Sequence, residues 1–375
     1  MLLHKSVEFD SRVRREASAL AAAGHEVIVL ELADVPNADR TLDGFTRYPC
    51  LPTTWVRQNL PVPIYRSLML LSFVTAIVKI RPDVVHAHDA AMLLPGLIGA
   101  RLTGAQMVYD SHELATSVPY RDPAWAWFVG AIERTVVPRC AAVITVSDGI
   151  AARLRQRYRL PATPTVVRNV SALAANGTGA LRASLGLGPE VPLILHQGAP
   201  APDRGCEALV AATALLDDVH VAFLGDPEPG YGDVLSELIR QHGAGDRVTL
   251  LPSVSLADLL AHTAEADVGV TLLQDTCENH RLALPNKLFE YIAAEVPVVA
   301  SALPEVQRLI DTYRIGWCVV PGDPVELAQA LRLALNVRHD PELAGRLARA
   351  SAELRWSVEQ TRLLELYTDL AGALS

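Results

Sequence analysis

The chain has 375 residues, half of them hydrophobic and 20% charged, with a formal net charge of −9. This length and composition predict a globular protein with room for two domains, and they exclude a disordered or fibrous chain. The acidic balance argues against nucleic acid as a partner, because general nucleic-acid binding needs a basic surface. Five cysteines lie far apart without a C-x-x-C pair. A disulfide framework or zinc ribbon is therefore not expected, and a reducing cytoplasm fits best.

The start of the chain does not resemble a signal peptide, because it runs directly into charged residues. The most apolar helical segment, residues 67–78, is bounded by Arg66 and Lys79. It is shorter than the about 20 residues that a bilayer span needs. The sequence therefore predicts a soluble, cytoplasmic protein.

Short runs rich in valine and isoleucine alternate with helical patterns along the first half of the chain. A first helix is expected to begin at Asp10 or Ser11, either of which can cap it, and to end at Gly24. Another helix is predicted over residues 60–80. The predicted strands lie at residues 1–4, 26–32, 46–51, 83–88, 106–110, 141–147 and 165–169. This alternation favours right-handed crossovers and a parallel sheet covered on both faces.

A change of composition to Ala, Gly, Ser and Asn over residues 171–189 predicts a passage between two domains. A second alternating series follows, and the chain beyond Pro341 has a helical pattern only. The strands of this series are predicted at residues 192–198, 219–225, 247–252, 266–273, 297–301 and 316–320. Two doubly wound domains in tandem predict a cleft, with ligands at the carboxyl ends of the strands.

The stretch LPNKLFEYIAAEVPVVAS, residues 284–301, has the pattern of a helix start, a short helix and a buried strand. Pro285 suits the beginning of a helix, and Lys287 places a cation on its first turn. A helix N-terminus with a lysine can bind an anion, and Glu290 can accept hydrogen bonds from sugar hydroxyls. An ordinary packed helix is the alternative that the spacing alone leaves open.

The ordered set of motifs resembles the retaining glycosyltransferases of family 4, which have the GT-B fold. In the first half the resemblance rests on DSRVRREASALAAAGHEV, RPDVVHAHD, VYDSHE and VITVS. In the second half it rests on LHQGAPAPDRG, AFLGD, RVTLLPSV, ADVGVTLL and the stretch at 284–301. The resemblance implies an α/β protein with two Rossmann-like, doubly wound domains facing across a cleft. An acceptor-binding domain would cover residues 1–172, with a helix at 356–375 packing back on it, and a nucleotide-sugar-binding domain would cover 173–355.

The resemblance also implies catalytic roles for three residues. Arg204 and Lys287 would neutralise the donor diphosphate and stabilise the charge that grows on it as the glycosidic bond breaks. His112 would reach the donor near the reacting carbon. A solvated arginine, a surface lysine and a structural histidine are the alternatives.

Further residues are expected to contact the substrates. The donor-binding residues implied are Gly198, Pro285, Asn286, Leu288 and Glu290. Weaker predictions for the acceptor side are Glu8, Arg12 and His88. His86 and His88 point the same way from one strand and could share a metal, but without a further ligand cluster no metal is expected. No other cofactor is expected beyond the substrate nucleotide sugar.

The sequence departs from the family pattern near the donor site. Leu282 replaces the first glutamate of the family's Glu-x7-Glu motif, whose second glutamate is Glu290, so the donor sugar is left open. Polar residues at 278–281 could supply substitute contacts. Glu295 stands where a glycine is usual. Elsewhere, Trp125, Trp127 and Phe128 could meet a lipid carrier, although packing is the favoured interpretation.

The predicted function is a retaining hexosyltransferase that moves a sugar from a nucleoside diphosphate sugar, with uridine the commonest family choice, to a hydroxyl acceptor. The acceptor would be a glycan, a glycolipid or a natural product. A nucleotide-sugar hydrolase or epimerase on the same fold is one alternative, and a non-catalytic nucleotide-sugar-binding subunit is another. A weak peripheral membrane contact and the oligomeric state are left open.

Overall fold

The structure, a computed structural model, describes residues 1–33, 40–51, 59–118, 123–171 and 179–372. The chain forms two compact units. The first unit holds Met1–Arg168 and Glu359–Ser375, and the second holds Asn169–Val358. The predicted boundary between residues 172 and 173 lies outside the described residues.

The first unit is built on an eight-stranded sheet. Its strands are β1 (Leu2–Leu3), β2 (Ile28–Glu31), β3 (Thr41–Leu42), β4 (Phe45–Pro49), β5 (Val84–His88), β6 (Gln106–Ser111), β7 (Ala142–Thr145) and β8 (Thr165–Val166). They lie in the order β3-β4-β2-β1-β5-β6-β7-β8, and only the edge pair β3–β4 is antiparallel. The helices are α1 (Ser11–Ala22), α2 (Val62–Ile80), α3 (Leu93–Thr103), α4 (Pro123–Val136) and α5 (Asp148–Tyr158). The predicted parallel α/β sheet is confirmed.

The second unit is built on a six-stranded parallel sheet in the order β11-β10-β9-β12-β13-β14. Its strands are β9 (Leu193–Gln197), β10 (His220–Leu224), β11 (Val248–Leu251), β12 (Val268–Thr271), β13 (Val298–Ser301) and β14 (Gly316–Val319). Its helices are α6 (Leu181–Ser184), α7 (Cys206–Thr213), α8 (Tyr231–Gln241), α9 (Leu256–Thr263), α10 (Glu278–Leu282), α11 (Asn286–Ala293), α12 (Pro304–Tyr313), α13 (Pro324–Asn336) and α14 (Pro341–Glu353).

Two apolar layers cover the two faces of this second sheet. Alternate residues of β9 go to opposite layers, Leu193 and Leu195 to one and Ile194 to the other. The strands are therefore buried on both sides, which is why they appear in the sequence as continuous apolar runs.

The last helix, α15 (Trp356–Gly372), belongs to the first unit from Glu359 onward. The Glu359 carboxylate accepts a hydrogen bond from the backbone N–H of Arg168 at 2.9 Å. The Tyr367 hydroxyl lies 2.9 Å from Nδ1 of His86. These polar contacts attach the end of the chain to the strands of the first sheet.

The helix α2 is longer than the apolar segment predicted from the sequence. It has 19 residues and begins at Val62, with Pro63 as its second residue. It ends at Ile80, before Arg81, whose backbone is left-handed. By length and hydropathy it is the one helix in the described parts of the chain that could cross a membrane, although only 17% of it is buried. The prediction that this segment is too short is therefore wrong. The strands before and after the helix, β4 and β5, lie in one sheet. Both ends of the helix are therefore connected to the same sheet.

The helix α11 ends in a Schellman motif, in which the residue after the cap adopts a left-handed backbone. Val296 N–H donates to the Tyr291 carbonyl at 2.9 Å, and Glu295 N–H donates to the Ile292 carbonyl at 3.0 Å. Glu295 has φ +57°. The glycine that is usual here would fit this conformation without strain, so the glutamate raises the free energy of the folded chain.

Replacing Glu295 by glycine is expected to stabilise the protein by on the order of 0.5 kcal/mol, because relief of the left-handed strain exceeds the added chain entropy. Chemical denaturation of the two proteins measures this difference. The matched control is Ala294→Gly, at φ −86°. That variant gains no relief and should be less stable than the wild type. Equal effects of the two substitutions would contradict the assignment.

Candidate functional site

Two glycines form a close backbone contact at the carboxyl ends of β9 and β10. Gly198 follows β9 with φ +88°, and Gly225 follows β10 with φ +149°. A Cβ on Gly225 would lie 2.7 Å from the Gly198 carbonyl carbon, so no larger residue fits. A Cβ on Gly198 would lie 3.9 Å from Cε of Lys287. The sequence-predicted residues Gly198 and Lys287 are thus brought together.

Tyr291 fixes the helix α11 on the sheet. Its hydroxyl donates to the Leu195 carbonyl at 2.8 Å and accepts from the Gln197 N–H at 3.0 Å. Its ring lies over Gly269 of β12, where an added Cβ would be 2.4 Å from the ring. Lys287 lies one turn before Tyr291 on the same side of the helix, and Glu290 is the residue next to Tyr291, so these packing contacts set the positions of both.

A short chain of hydrogen bonds orients Glu290, which is half-buried. The Thr263 hydroxyl donates to the Gln197 side-chain oxygen at 2.6 Å. The amide N–H of Gln197 in turn donates to the Glu290 carboxylate. The sequence analysis missed Gln197 and Thr263. The signal for Gln197 was a polar residue at the last position of an otherwise buried strand.

Lys287 and Arg204 form a pair of neighbouring cations, with the charge of Glu290 close enough to oppose the lowering of the Lys287 pKa. Burial, followed by the nearby charge of Arg204, lowers the pKa of Lys287 to about 8. Within the described residues, neither cation has a carboxylate at salt-bridge distance. The Lys287 ammonium lies 3.4 Å from Nε2 of His196, whose pKa burial holds well below its ordinary value. An anion between the two cations would remove their repulsion, so the arrangement favours a phosphate group.

The start of α11 holds the remaining predicted donor residues. Pro285 is the N-cap, and the exposed Asn286 accepts a hydrogen bond from the Asn169 side chain at 2.9 Å. Leu288 is fully buried in the core, and its N–H donates to the Pro285 carbonyl at 3.0 Å. Its prediction as a donor-binding residue is therefore wrong, because neither its side chain nor its N–H is available.

The polar residues before Leu282 lie on or beside the five-residue helix α10. Arg281 pairs with Asp275 at 2.8 Å, and Asn279 is buried. His280 lies close enough to Arg204 for that charge to contribute, after burial, to the lowering of its pKa. Of these side chains, His280 is the one whose position favours a substitute polar contact.

His112 in the first unit lies between two carboxylates. Its Nε2 is 3.0 Å from Asp110 Oδ2, and its Nδ1 is 3.3 Å from Asp89 Oδ2. Burial lowers its pKa, but the charges of Asp89 and Asp110 outweigh burial and raise it to about 9. The imidazole is therefore charged at neutral pH. The sequence analysis missed Asp89, which follows β5 with a left-handed φ of +61°.

Arg12 and His88, predicted on the acceptor side, are both buried. The Arg12 guanidinium donates to both oxygens of Asp110, at 2.9 and 3.0 Å, and to the Val167 carbonyl at 2.7 Å. His88 lies 3.3 Å from His112. Both residues contact the Asp110–His112 pair from the buried side. Because they are buried, they cannot contact an acceptor, and their acceptor-binding prediction is wrong. Arg12 points inward because α1 packs with this face against the sheet.

Glu16, His86, His88 and Asp110 bring potential metal-binding atoms within 4.8 Å of one another. However, the Arg12 guanidinium already neutralises Asp110 and lies 3.0 Å from Glu16. Burial raises the pKa of Glu16 to about 8. A divalent ion would have to displace the guanidinium from two carboxylates. These four side chains are therefore better explained as part of an ion-pair network with Arg12 than as metal ligands. The expectation of no metal stays a prediction.

Other predicted residues lie on the surface of the first unit. Glu8 is exposed and accepts a hydrogen bond from Arg47 at 2.6 Å. Trp127 and Phe128 are 76% and 47% exposed, so the interpretation that they simply pack is wrong. The buried stripe of α4 begins one position later, at Val129, and leaves these two aromatic rings outside it.

Replacing Asp89 by asparagine is expected to lower the pKa of His112 from about 9 towards its ordinary 6.5, because one of the two carboxylate charges is lost. An NMR titration of the histidine ring protons measures the shift. The raised pKa also means that protonated His112 stabilises the fold below about pH 6.5, and that this stabilisation is lost as pH rises through about 9.

The control for this titration is Asp43→Asn, since Asp43 is paired with Arg14 on the surface. This change should leave the pKa of His112 unaltered. A His112 pKa that is the same in the Asp89 variant and the wild type would refute the role given to Asp89.

Comparison with family models gives two matches. The first half, residues 11–170, matches Glycosyltransferase Family 4, and residues 191–336 match Glycosyl transferases group 1. Among curated proteins, the chain is 29% identical over 305 residues to alpha-D-kanosaminyltransferase of Streptomyces kanamyceticus, covering 72% of each. It is 25% identical to a sulfoquinovosyl transferase of Arabidopsis thaliana, covering 95% of this chain and 69% of that protein.

Solved structures show the same fold. Sucrose-phosphate synthase from Thermosynechococcus elongatus superimposes with a TM-score of 0.76 at 22% identity, covering 99% of both chains. Anabaena HepE, solved in complex with UDP and glucose, gives a TM-score of 0.75 at 18% identity, covering 98% of both chains.

The fold and the matches define a glycosyltransferase that uses nucleotide-sugar donors. The chain belongs to the glycosyltransferases of family 4, with the GT-B fold. The resemblance noted in the sequence is confirmed.

Proposed function

We propose that this glycosyltransferase acts with retention of configuration on a UDP-linked hexose and transfers the sugar to a hydroxyl acceptor. The observation that supports the donor side is the pair Arg204 and Lys287, two cations without a carboxylate partner in the described structure. They lie at the carboxyl ends of the strands, where ligands bind in such sheets. Glu290, oriented by Gln197, is the proposed partner of the ribose hydroxyls.

The proposed chemistry depends on charge that develops on the diphosphate. As the glycosidic bond breaks, its electron pair moves to the leaving phosphate oxygen, which gains negative charge. Lys287 and Arg204 stabilise this charge more strongly than that of the intact donor. The leaving phosphate then accepts the proton of the attacking hydroxyl, so no protein carboxylate is assigned as nucleophile. The role implied for His112 beside the transferred sugar stays a prediction.

The acceptor is proposed to be a hydroxyl of a glycan, a glycolipid or a natural product. Two named relatives support a sugar-transfer reaction, but they differ from each other in the sugar that their names specify. Leu282, in place of the first glutamate of the family motif, removes a carboxylate from the sugar-binding side. We therefore propose UDP as the nucleotide of the donor but do not specify which hexose it carries.

The test of the proposed function is incubation of the protein with a panel of UDP-sugars and hydroxyl acceptors, followed by NMR of the anomeric proton of the product. The expected product keeps the anomeric configuration of the donor. Glu290→Ala should weaken UDP binding by about 1–3 kcal/mol in calorimetry, because ribose hydroxyls lose their acceptor. The control Glu237→Ala alters a surface carboxylate paired with Arg240 and should bind UDP as the wild type does.

Three results would contradict the proposal. An inverted product excludes retention. Rapid consumption of donor without any acceptor indicates a hydrolase or epimerase. Tight UDP binding without turnover across the acceptor panel indicates a non-catalytic binding subunit.

The affinity for UDP is expected to fall as pH rises through about 8, because Lys287 must be protonated to bind the diphosphate and its pKa in the free protein is about 8. Below that pH the affinity should be nearly constant. Calorimetry at pH 7 and pH 9.5 measures the loss. In Lys287→Arg the cation does not titrate in this range, so the fall should disappear. An identical pH profile in both proteins would reject Lys287 as a diphosphate contact.

A further inference from the structure

The outward side of α2 is mostly apolar, with the exposed Thr75 as a polar residue in the row. Ile64, Leu68, Leu71 and Val78 follow one another at helical spacing and are 50%, 37%, 63% and 39% exposed. The buried residues of this helix, among them Phe73 and Ile77, lie on the other side. An exposed apolar row of this kind indicates a surface that contacts a protein or a lipid. We call this exposed row of four residues the outer face of α2.

Exposed aromatic side chains lie on helix α4, whose start is next to the start of α2. The Arg66 guanidinium lies 4.5 Å from the centre of the Trp125 ring, which places the start of α2 beside the start of α4. On the same helix, Trp127 and Phe128 are 76% and 47% exposed. Exposed tryptophan is costly in water but favourable at the boundary between lipid headgroups and acyl chains.

The exposed charges on these helices are mostly basic in the described part of the chain, with Asp83, just after the end of α2, as an acidic exception. The helices α2, α3 and α4, with the cap residue after α2, carry five exposed basic side chains: Arg66, Lys79, Arg81, Arg101 and Arg134. The one acidic residue within these three helices is Glu133, which is buried and accepts hydrogen bonds from Tyr109 and Tyr158. A basic, apolar surface on a chain of net charge −9 is complementary to an anionic surface.

These observations decide which partner covers the outer face of α2. A span across the bilayer is excluded because the strands on both sides of α2, β4 and β5, lie in one sheet. A second copy of the chain would bring two sets of basic residues together. An anionic bilayer satisfies both the apolar residues and the surrounding positive charge. We propose that the outer face of α2, with Trp127 and Phe128, docks on the surface of an anionic phospholipid bilayer.

In this arrangement α2 lies in the plane of the membrane interface. Its apolar side chains enter the boundary of the acyl chains, while Arg66 and Lys79 contact lipid phosphates. Docking of this kind needs no bound nucleotide and no turnover. It can therefore be measured separately from the glycosyltransferase reaction, and either property can fail without the other.

The test is sedimentation of the full chain with lipid vesicles at low and high salt. Vesicles of phosphatidylcholine mixed with phosphatidylglycerol are compared with vesicles of phosphatidylcholine alone. We expect the protein to bind the anionic vesicles at least about tenfold more strongly, and we expect high salt to weaken this binding. Leu71→Glu and Trp127→Ser should each reduce the binding about tenfold, since they remove buried apolar contact.

The matched control is Leu333→Glu on α13, which introduces the same charge at another apolar residue, 54% exposed. It should bind vesicles as the wild type does. Circular dichroism and light scattering accompany each variant to verify folding and oligomeric state. Wild-type protein that stays in the supernatant with anionic vesicles overturns the proposal. So does equal binding to neutral vesicles, or a dimer that Leu71→Glu dissociates without any effect on lipid binding.

Discussion

The hydrogen bonds of the Tyr291 hydroxyl are the interaction on which the proposed donor site of the second unit depends. They attach the middle of α11 to the end of β9, and the absence of a side chain at Gly269 lets the tyrosine ring lie directly on β12. Lys287 and Glu290 are on the same short helix. Their positions at the strand ends are therefore determined by a buried residue with no contact to a ligand. The positions of these two polar groups follow from the packing of Tyr291, which lies one turn after Lys287 and next to Glu290.

Asp110 has a comparable position in the first unit, where a buried charge must be paired to be tolerated. Its carboxylate is shared between the Arg12 guanidinium and the His112 imidazole. The strong pair with Arg12 keeps Asp110 ionised, since the pKa of its carboxyl stays well below the ordinary value. The ionised carboxylate, together with Asp89, then holds His112 in its charged form. The charge at the partly exposed histidine is thus maintained by one buried carboxylate, Asp110, and one partly exposed carboxylate, Asp89.

The sequence predicted the alternation of strands and helices in both units, because strands buried on both faces are continuous apolar runs and helices have their own spacing and caps. Asp10 caps α1 and Pro285 precedes α11, as local chemistry requires. The sequence did not predict which polar residues are buried. Arg12 points into the unit because its partner Asp110, 98 residues away, lies on a strand that α1 covers. Such pairing depends on tertiary contacts, which spacing within one helix does not contain.

The contact between Gly198 and Gly225 has a consequence for how this protein can evolve. At Gly198 and Gly225 the surface beside Lys287 is made of main chain, and Gly225 cannot accept a Cβ without displacing its neighbour. In the proposed donor site, main chain and fixed cations would respond to the charge and size of the donor and not to the stereochemistry of its sugar. A change of sugar preference must therefore come from side chains elsewhere, such as those around α10. The Gly198–Gly225 contact is therefore compatible with enzymes that transfer different sugars.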